Sequence, residues 1–221
     1  MDSLFERLKR ACASEWDAYT GHAFVRGLGD GGLPQAAFRD YLRQDYLFLI
    51  QFARAYGLAV FKSETIEELR RGSDGLAAIL DETRLHVAYC RDWGIAEADL
   101  EACAEAPQTL AYTRFVLDRG MAGDLLDLDV ALAPCVIGYA EIGAQLAREN
   151  GDRLAQNPYR SWIEAYAGAD YAKAAAAHVE KLDRTLAARG GDGRMPSLIE
   201  TFRKATILEA QFWETGLKAS N

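Results

Sequence analysis

The chain has 221 residues, half of them hydrophobic, and a formal net charge of −8 from 25 Lys and Arg against 33 Asp and Glu. This length is sufficient to bury a full-sized core, and we expect one domain spanning residues 1–221. The negative charge, without a basic run that could neutralise a row of phosphates, disfavours nucleic acid as a partner. No stretch approaches the ~20 apolar residues that cross a bilayer, and the first residues lack the apolar core of a signal peptide. We therefore expect a cytoplasmic protein with no membrane partner.

Apolar side chains recur at helical spacing along most of the chain, and no stretch alternates as a β-strand does. The pattern predicts an all-α fold of about seven to nine helices. The predicted helical segments, three of them short, cover residues 4–19, 34–60, 64–69, 76–93, 97–104, 107–120, 125–149 and 171–189, with one of the short segments beginning at Asn157-Pro158 and a last segment at Pro196.

Two glycine-containing segments predict interruptions between helices. Residues 27–32 read Gly-Leu-Gly-Asp-Gly-Gly and predict a connecting loop. No β-branched strand precedes this segment and no Gly-Lys-Ser/Thr follows it, which argues against a phosphate-binding loop. The segment Arg71-Gly72-Ser73-Asp74-Gly75 predicts a second break.

The four cysteines are scattered, and no two of them form a CxxC pair. In a reducing compartment the default prediction is buried, reduced thiols, and we apply it to Cys12, Cys90 and Cys103. Cys135 differs because Pro134, which cannot donate a backbone N–H and tends to bend a helix, directly precedes it. Backbone dipoles freed there would favour the thiolate form of Cys135, which is a hypothesis that thiol titration tests.

Two carboxylates fall on apolar helix faces. Asp45 lies one turn after Tyr41 and one turn before Phe48, so it shares an aromatic face. Glu209 lies inside the apolar stripe of the last helix, with Phe212 following it. Buried acids without a partner are costly, so each should meet a donor. For Asp45 a structural hydrogen bond and a ligand contact both stay open.

Histidine is scarce, with three residues in the whole chain, at positions 22, 86 and 178. Glu82 and His86 have a spacing that metal ligands also use, but so few histidines make a multi-histidine site hard to assemble. We interpret the two as a surface pair on one helix, and we predict no metal and no cofactor. A di-iron oxygenase on a helical scaffold is the weakest alternative. Tyr112 is a core residue on spacing alone.

The inward polar groups thus comprise one thiol, two carboxylates and several tyrosines. Thiol nucleophiles commonly rely on histidine, and no histidine has a comparable context, so a Cys–His protease mechanism is disfavoured. A mechanism in which an acid protonates the substrate while a thiolate adds to it fits better. An electron-poor heteroaromatic ring would suit this set, because carboxylates bind amino groups and ring nitrogens and aromatic faces stack on the ring.

The order of these residues resembles the TenA family, also called thiaminase II or aminopyrimidine aminohydrolase, and the resemblance covers essentially the whole chain. The motifs that carry it are Arg43-Gln44-Asp45-Tyr46, Pro134-Cys135, Gly138-Tyr139-Ala140-Glu141-Ile142-Gly143, Pro158-Tyr159, Trp162-Ile163-Glu164-Ala165-Tyr166 and Glu209-Ala210-Gln211-Phe212-Trp213-Glu214. The resemblance implies a fold like that of haem oxygenase and a homotetramer.

The resemblance also implies a reaction, the hydrolysis of 4-amino-5-aminomethyl-2-methylpyrimidine to hydroxymethylpyrimidine with release of ammonia, in thiamine salvage. Some members of the family also cleave thiamine. Cys135 would add to the ring, Glu209 would exchange a proton with a ring nitrogen, and Asp45 would bind the exocyclic amine. The remaining site residues would position the reacting groups or wall the ring, and they are Tyr112, Tyr139, Tyr166, Phe48 and Phe212.

The chain departs from the family pattern at one place. An aromatic residue often occupies one of the two positions after the cysteine, where this chain has Val136 and Ile137. This difference affects the expected pocket shape and hence the preferred substrate. A protein that binds pyrimidine or thiamine without turning it over, or that regulates gene expression, is the alternative from another functional class. Direct DNA binding is disfavoured by the acidic charge and by the lack of a basic recognition helix.

Overall fold

The computed structural model describes residues 2–218, and this part of the chain is helical and contains no strand. The α-helices are α1 (Leu4–Ala11), α2 (Ala13–Thr20), α3 (Ala23–Asp30), α4 (Gln35–Phe61), α5 (Ile66–Asp92), α6 (Glu97–Glu101), α7 (Pro107–Ala122), α8 (Leu125–Asn150), α9 (Arg160–Ala167), α10 (Ala169–Ala188) and α11 (Met195–Lys218). Two 3₁₀ helices, Gly151–Gln156 and Gly191–Arg194, join the later ones. The all-α prediction is confirmed, with more helices than the predicted seven to nine.

The first predicted helix is two helices. The glycine loop predicted at residues 27–32 is wrong for residues 27–30, which are helical, whereas Gly31 and Gly32 do lie in the connection to the next helix. Cys12 leaves helical geometry with φ −125°, which separates α1 from α2. Helix α3 runs through Gly27 and Gly29 and ends at Gly31, whose φ of 77° is in the left-handed region. A Cβ at Gly29 would lie 2.7 Å from Leu146 Cδ2, so this glycine permits close packing and does not form a turn.

The predicted break at residues 71–75 is also wrong, because α5 is continuous. Thr65 and Glu68 form a capping box that starts the helix. A Cβ at Gly72 would lie 3.0 Å from Val60, and one at Gly75 would lie 2.4 Å from the Tyr56 ring. The two glycines therefore allow α5 to pack closely on α4, and their cost in helix propensity, about 1 kcal/mol each, is offset by that packing.

The chain divides into two compact units. Unit 1 comprises Met1–Pro34 and Asp129–Trp213, and unit 2 comprises Gln35–Leu128 and Glu214–Asn221. Fully buried aromatic side chains form much of the core of unit 1, including Trp16, Tyr19, Phe24, Phe202 and Trp213. In unit 2 the corresponding side chains are Phe38, Tyr41 and Tyr112. The single domain expected from the chain length stays a prediction.

None of the helices within residues 2–218 combines the length and the apolar character that crossing a membrane requires.

Candidate functional site

Cys135 lies half-buried on α8, and this helix continues through Pro134. The Tyr19 hydroxyl donates to the Pro134 carbonyl at 3.4 Å, which ties α2 to the residue before the thiol. Gly138 makes this approach possible, because a Cβ there would lie 2.4 Å from the Tyr19 ring. The backbone around Cys135 is therefore positioned by a neighbouring helix, and a glycine three residues later is part of that arrangement.

Tyr139, one turn after Cys135, is buried in an aromatic cluster of unit 1. Its ring centroid lies 4.9 Å from that of Tyr166, 5.9 Å from that of Trp162 and 5.2 Å from that of Trp213. Helix α9 comes close enough for these contacts because Gly143 has no side chain; a Cβ there would lie 2.6 Å from the Tyr166 backbone. Two of the predicted site tyrosines, Tyr139 and Tyr166, are thus in direct contact.

Glu209 on α11 is 1% exposed, which confirms that the helical pattern turns this carboxylate inward. Trp213, one turn further along the same face, is the residue that contacts Tyr139. Phe212 is equally buried, with its ring 6.4 Å from that of Trp213. Within unit 1, three helices that the aromatic cluster joins carry five of the predicted site residues, namely Cys135, Tyr139, Tyr166, Glu209 and Phe212.

The other three predicted site residues lie in unit 2. Asp45 on α4 is 6% exposed and accepts a hydrogen bond from the Tyr41 side chain one turn earlier. Phe48 on the same helix stacks obliquely on Tyr112 of α7, with 5.3 Å between ring centroids. Asp45 therefore makes the structural hydrogen bond that was one of the two possibilities for it. The other possibility, a ligand contact, stays a prediction.

The interpretation of Glu82 and His86 as a surface pair is wrong. The His86 side chain is 8% exposed, its Nε2 lies 2.8 Å from the Leu42 carbonyl oxygen, and its Nδ1 lies 3.5 Å from Asp45 Oδ2. Both residues are on the face of α5 that packs against α4. A signal for this was present in the sequence, because the face recurs every three or four residues as Gly72, Gly75, Ile79, Glu82, His86 and Cys90.

Burial is the main cause of the pKa shifts of Asp45, Glu82 and His86. It raises the pKa of Asp45 to about 7, against the opposing effect of the Tyr41 hydrogen bond. It also raises the pKa of Glu82 to about 7, with a further contribution from the charge of Asp45, while His86 acts in the opposite direction. The pKa of His86 is lowered by burial, which disfavours the imidazolium. Protons are therefore exchangeable within this group near neutral pH.

The prediction of a buried thiol is confirmed for Cys12 and Cys90, whereas Cys103 is only half-buried. Cys12 and Cys90 are fully buried, and burial raises the pKa of both thiols, that of Cys90 to about 12. Cys103 is half-buried and accepts a hydrogen bond from the Gln44 amide at 3.5 Å. High thiol pKa values make such residues poor nucleophiles.

In residues 2–218, no three or more His, Cys, Asp or Glu side chains are grouped so that they could hold a metal ion.

A family model of the TENA/THI-4/PQQC family matches residues 10–219. The chain belongs to this family. A relative from Halalkalibacterium halodurans, named aminopyrimidine aminohydrolase, is 37% identical over 215 residues, covering 96% of this chain and 92% of its own. The TENA/THI-4/PQQC family thus includes a protein of that name with nearly the same length as this chain.

Solved structures agree with this family assignment. A protein from Silicibacter sp. TM1040, described as a TenA family transcription regulator, has a TM-score of 0.91 and 46% identity, covering 96% of each chain. A domain of unknown function from Shewanella denitrificans, described as having a heme oxygenase-like fold, has a TM-score of 0.78 at 14% identity, covering 99% of this chain and 93% of its own. The haem-oxygenase-like all-α fold predicted from the resemblance is confirmed.

Proposed function

We propose that this protein is an aminopyrimidine aminohydrolase of thiamine salvage, a hydrolase that acts on C–N bonds. The observation that carries the proposal is the aromatic contact between Tyr139 and Trp213. Each of these residues follows a chemically reactive residue by one helical turn, Cys135 in one case and Glu209 in the other. A thiol and a buried carboxylate therefore lie on two helices that one contact holds together, as addition of a thiolate with protonation by an acid requires.

The proposed reaction begins when the Cys135 thiolate adds to a ring carbon of the aminopyrimidine while Glu209 donates a proton to a ring nitrogen. Addition interrupts the aromaticity of the ring, so its electrons expel ammonia from the exocyclic methylene group, whose amine leaves from its protonated, ammonium form. Water then adds to that methylene carbon and releases one proton, which replaces the one that left with the ammonia. Loss of the Cys135 sulfur restores the ring, and the ring nitrogen returns its proton to Glu209. The sum is aminomethylpyrimidine and water giving hydroxymethylpyrimidine and ammonia.

The other site residues have binding roles in this proposal. Asp45 accepts a hydrogen bond from the exocyclic amine of the ring, as the Tyr41 and His86 contacts orient its carboxyl group. Phe48 and Phe212 each have an aromatic face of the kind that stacks on such a ring. The three tyrosines, Tyr112, Tyr139 and Tyr166, position the thiol, the leaving group or the attacking water.

Val136 and Ile137 are proposed to influence the choice of substrate. Val136 is half-buried next to the thiol, and Ile137 is 4% exposed. A branched aliphatic side chain occupies less area than an aromatic ring and cannot stack. Both aminomethylpyrimidine and thiamine are therefore candidates, and their relative rates are the measurement that separates them.

The decisive experiment incubates the purified protein with aminomethylpyrimidine and, separately, with thiamine, beside a Cys135→Ser variant. We expect ammonia release from wild type and a loss of at least about a thousandfold in the variant, because a hydroxyl is a far weaker nucleophile than a thiolate at neutral pH. Cys103→Ser is the matched control, since it changes the other half-buried thiol. Ammonia release that survives unchanged in Cys135→Ser would refute the nucleophile assignment.

A regulatory protein is the second candidate, and the description of the Silicibacter protein as a transcription regulator favours it. The net charge of −8 opposes direct contact with DNA phosphates. Tight binding of a pyrimidine without turnover, together with a salt-dependent shift of labelled duplex DNA, would support this candidate over the hydrolase.

A homotetramer is proposed on the support of large apolar side chains that unit 2 leaves exposed. They are Ile50, Phe61, Ile66, Leu80, Leu85, Leu110 and Met121. Apolar side chains that form a continuous exposed patch are typical of association surfaces. Light scattering coupled to gel filtration should give four times the chain mass, and a monomer would refute the proposal. The cytoplasmic location stays a prediction.

A further inference from the structure

The two nitrogens of the His86 imidazole face two acceptor oxygens on α4. Nε2 lies 2.8 Å from the backbone carbonyl oxygen of Leu42, and Nδ1 lies 3.5 Å from Oδ2 of Asp45. The contacts join the middle of α5 to two successive positions on the inner face of α4. The ring therefore has little freedom to rotate.

The Leu42 carbonyl determines which nitrogen carries a hydrogen. A carbonyl oxygen only accepts, so Nε2 must be the donor in this contact. In the neutral imidazole the second nitrogen, Nδ1, then has a lone pair and no hydrogen. Two bare acceptors would face each other if Asp45 were ionised and His86 neutral. One proton between Nδ1 and Oδ2 removes that repulsion.

The surroundings favour retention of that proton. On α4, the Tyr41 side chain donates to Asp45; on α5, Glu82 and Cys90 are the other titratable groups that interact with Asp45. Arg43 acts on Cys90 from α4. Burial raises the pKa of Asp45 to about 7. The charge of Asp45 in turn raises the pKa of Glu82, so a second negative charge in this group is unfavourable.

We propose that His86 is a positioning residue for Asp45, which ties Oδ2 through a shared proton so that Oδ1 is left as a hydrogen-bond acceptor. Two forms of the pair are possible: a carboxylic acid that donates to Nδ1, and an imidazolium that donates to a carboxylate. In both forms the shared proton lies on the Oδ2 side of the carboxyl group, so Oδ1 carries no hydrogen and can only accept. Tyr41 also donates to this carboxyl group, which agrees with an acceptor role. The pair thus fixes Oδ1 as an acceptor towards a ligand.

The consequence is selectivity for an amino group over an oxo group on the bound ring. This step rests on the proposed function, in which Asp45 binds the exocyclic amine. An amine donates to Oδ1, whereas an oxo oxygen would bring a second acceptor against it. A site whose buried polar group is left unpaired rejects the wrong ligand by large factors, commonly a hundredfold or more. An Asp45 free to turn its proton toward the ligand would lose that discrimination.

The test variant is His86→Gln, because the Gln amide nitrogen can occupy the place of Nε2 and keep the bond to the Leu42 carbonyl. The matched control is His178→Gln. His178 is the other buried histidine with this kind of contact, its Nε2 lying 3.0 Å from the Asp129 carbonyl oxygen in unit 1. Both substitutions change a buried imidazole bound to a carbonyl, and only the first removes a nitrogen from Asp45.

Dissociation constants are measured for 4-amino-5-hydroxymethyl-2-methylpyrimidine and for its 4-oxo analogue. We expect wild type and His178→Gln to prefer the amino compound by the same ratio, and His86→Gln to lower that ratio about tenfold, the effect of one hydrogen bond to a charged group. In turnover the loss should appear mainly in KM, with kcat changed less than about threefold. An unchanged ratio in His86→Gln would overturn the proposal.

A measurement on the ligand-free protein separates this inference from the proposed function. Nitrogen-15 NMR of labelled histidine should show His86 as the Nε2–H tautomer, with an Nδ1 shift between the values for bare and protonated nitrogen that changes in Asp45→Asn. A hydrogen resident on Nδ1 alone, with Nε2 bare, would overturn the inference whatever the protein binds. If the NMR result is as expected and neither pyrimidine binds, the proposed function is what fails.

Discussion

The ring of Tyr139 lies 5.2 Å from the ring of Trp213, and this contact joins α8 to α11. Trp213 is fully buried and also stacks on Phe24, with 5.0 Å between centroids. We expect Trp213→Ala to lower the free energy of unfolding by about 3 to 5 kcal/mol, because a large cavity replaces the indole. Trp213→Phe keeps one ring and should cost less than half as much. Urea denaturation measures both, and an Ala variant as stable as wild type would contradict the role given to this contact.

Gly138 is predicted to be intolerant of the smallest substitution. A Cβ at this position would lie 2.4 Å from the Tyr19 ring, so Gly138→Ala forces the ring or the helix to shift. We expect a loss of about 1 to 3 kcal/mol in the free energy of unfolding and a fall in ammonia release.

Gly57→Ala is the matched control for this substitution. Gly57 is also inside a long helix, and an added Cβ there meets nothing within 4 Å. Alanine should stabilise the helix by about 0.5 to 1 kcal/mol at such a position. If both variants are stabilised, the close approach of Tyr19 is not a constraint.

Glu209→Gln tests the proposed acid. The amide has nearly the same shape but cannot donate and recover a proton, so we expect a rate loss of about 10² to 10⁴ with a folded protein. Glu200→Gln, on the exposed surface of the same helix, should leave the rate unchanged. Circular dichroism distinguishes a catalytic from a structural role of Glu209. Unfolding of Glu209→Gln would show that the role is structural.

Asp45 should make the stability of the protein depend on pH. Its pKa is raised from an ordinary value of 3.8 to about 7, so folding favours the protonated form. Stability from this group is complete at acid pH and is lost as the pH rises through 7. Asp45→Asn cannot ionise, and we expect the loss between pH 5 and pH 8 to shrink by about 2 kcal/mol.

The control for the pH experiment is Asp81→Asn, whose side chain is 76% exposed on α5. Its pH dependence should match that of wild type. Burial still raises the pKa of Glu82 in Asp45→Asn, although the contribution from the charge of Asp45 is then absent, so a residual slope near pH 7 is expected in that variant. An Asp45→Asn profile that overlays wild type would show that Asp45 is ionised in the fold at neutral pH.

Helical periodicity was sufficient to predict the fold class and the inward orientation of Asp45 and Glu209. Both carboxylates interrupt apolar stripes at a spacing that only one helix face can have, so their burial follows from the sequence. The predictions for the glycine segments were wrong because glycine can either interrupt a helix or permit close packing within one. A single sequence does not distinguish these two roles. At Gly29, Gly72 and Gly75 glycine permits contact between elements that are distant in the chain, and only the folded structure shows what the missing side chain avoids.

The prediction of a surface position for His86 was wrong for a related reason. Its spacing from Glu82 matches both a solvated ion pair and a buried pair, and the partner that decides between them, Asp45, is 41 positions away on another helix. The predicted break at residues 71–75 also prevented recognition of the inward face of α5, which runs from Gly72 to Cys90. This periodic face can be recognised only if the helix is taken as continuous. Long-range contacts of this kind are not encoded in local periodicity.

The acceptor that fixes the His86 tautomer is a main-chain carbonyl, that of Leu42. Every amino acid has this group, so substitutions at position 42 change packing without removing the acceptor. The bond that orients the His86 ring, and through it the Asp45 carboxyl group, is therefore not removed by a change of side chain at position 42. In evolution, the protonation pattern would be lost through His86 or Asp45 themselves, or through unwinding of α4, and a natural homologue with a different residue at position 42 can retain it.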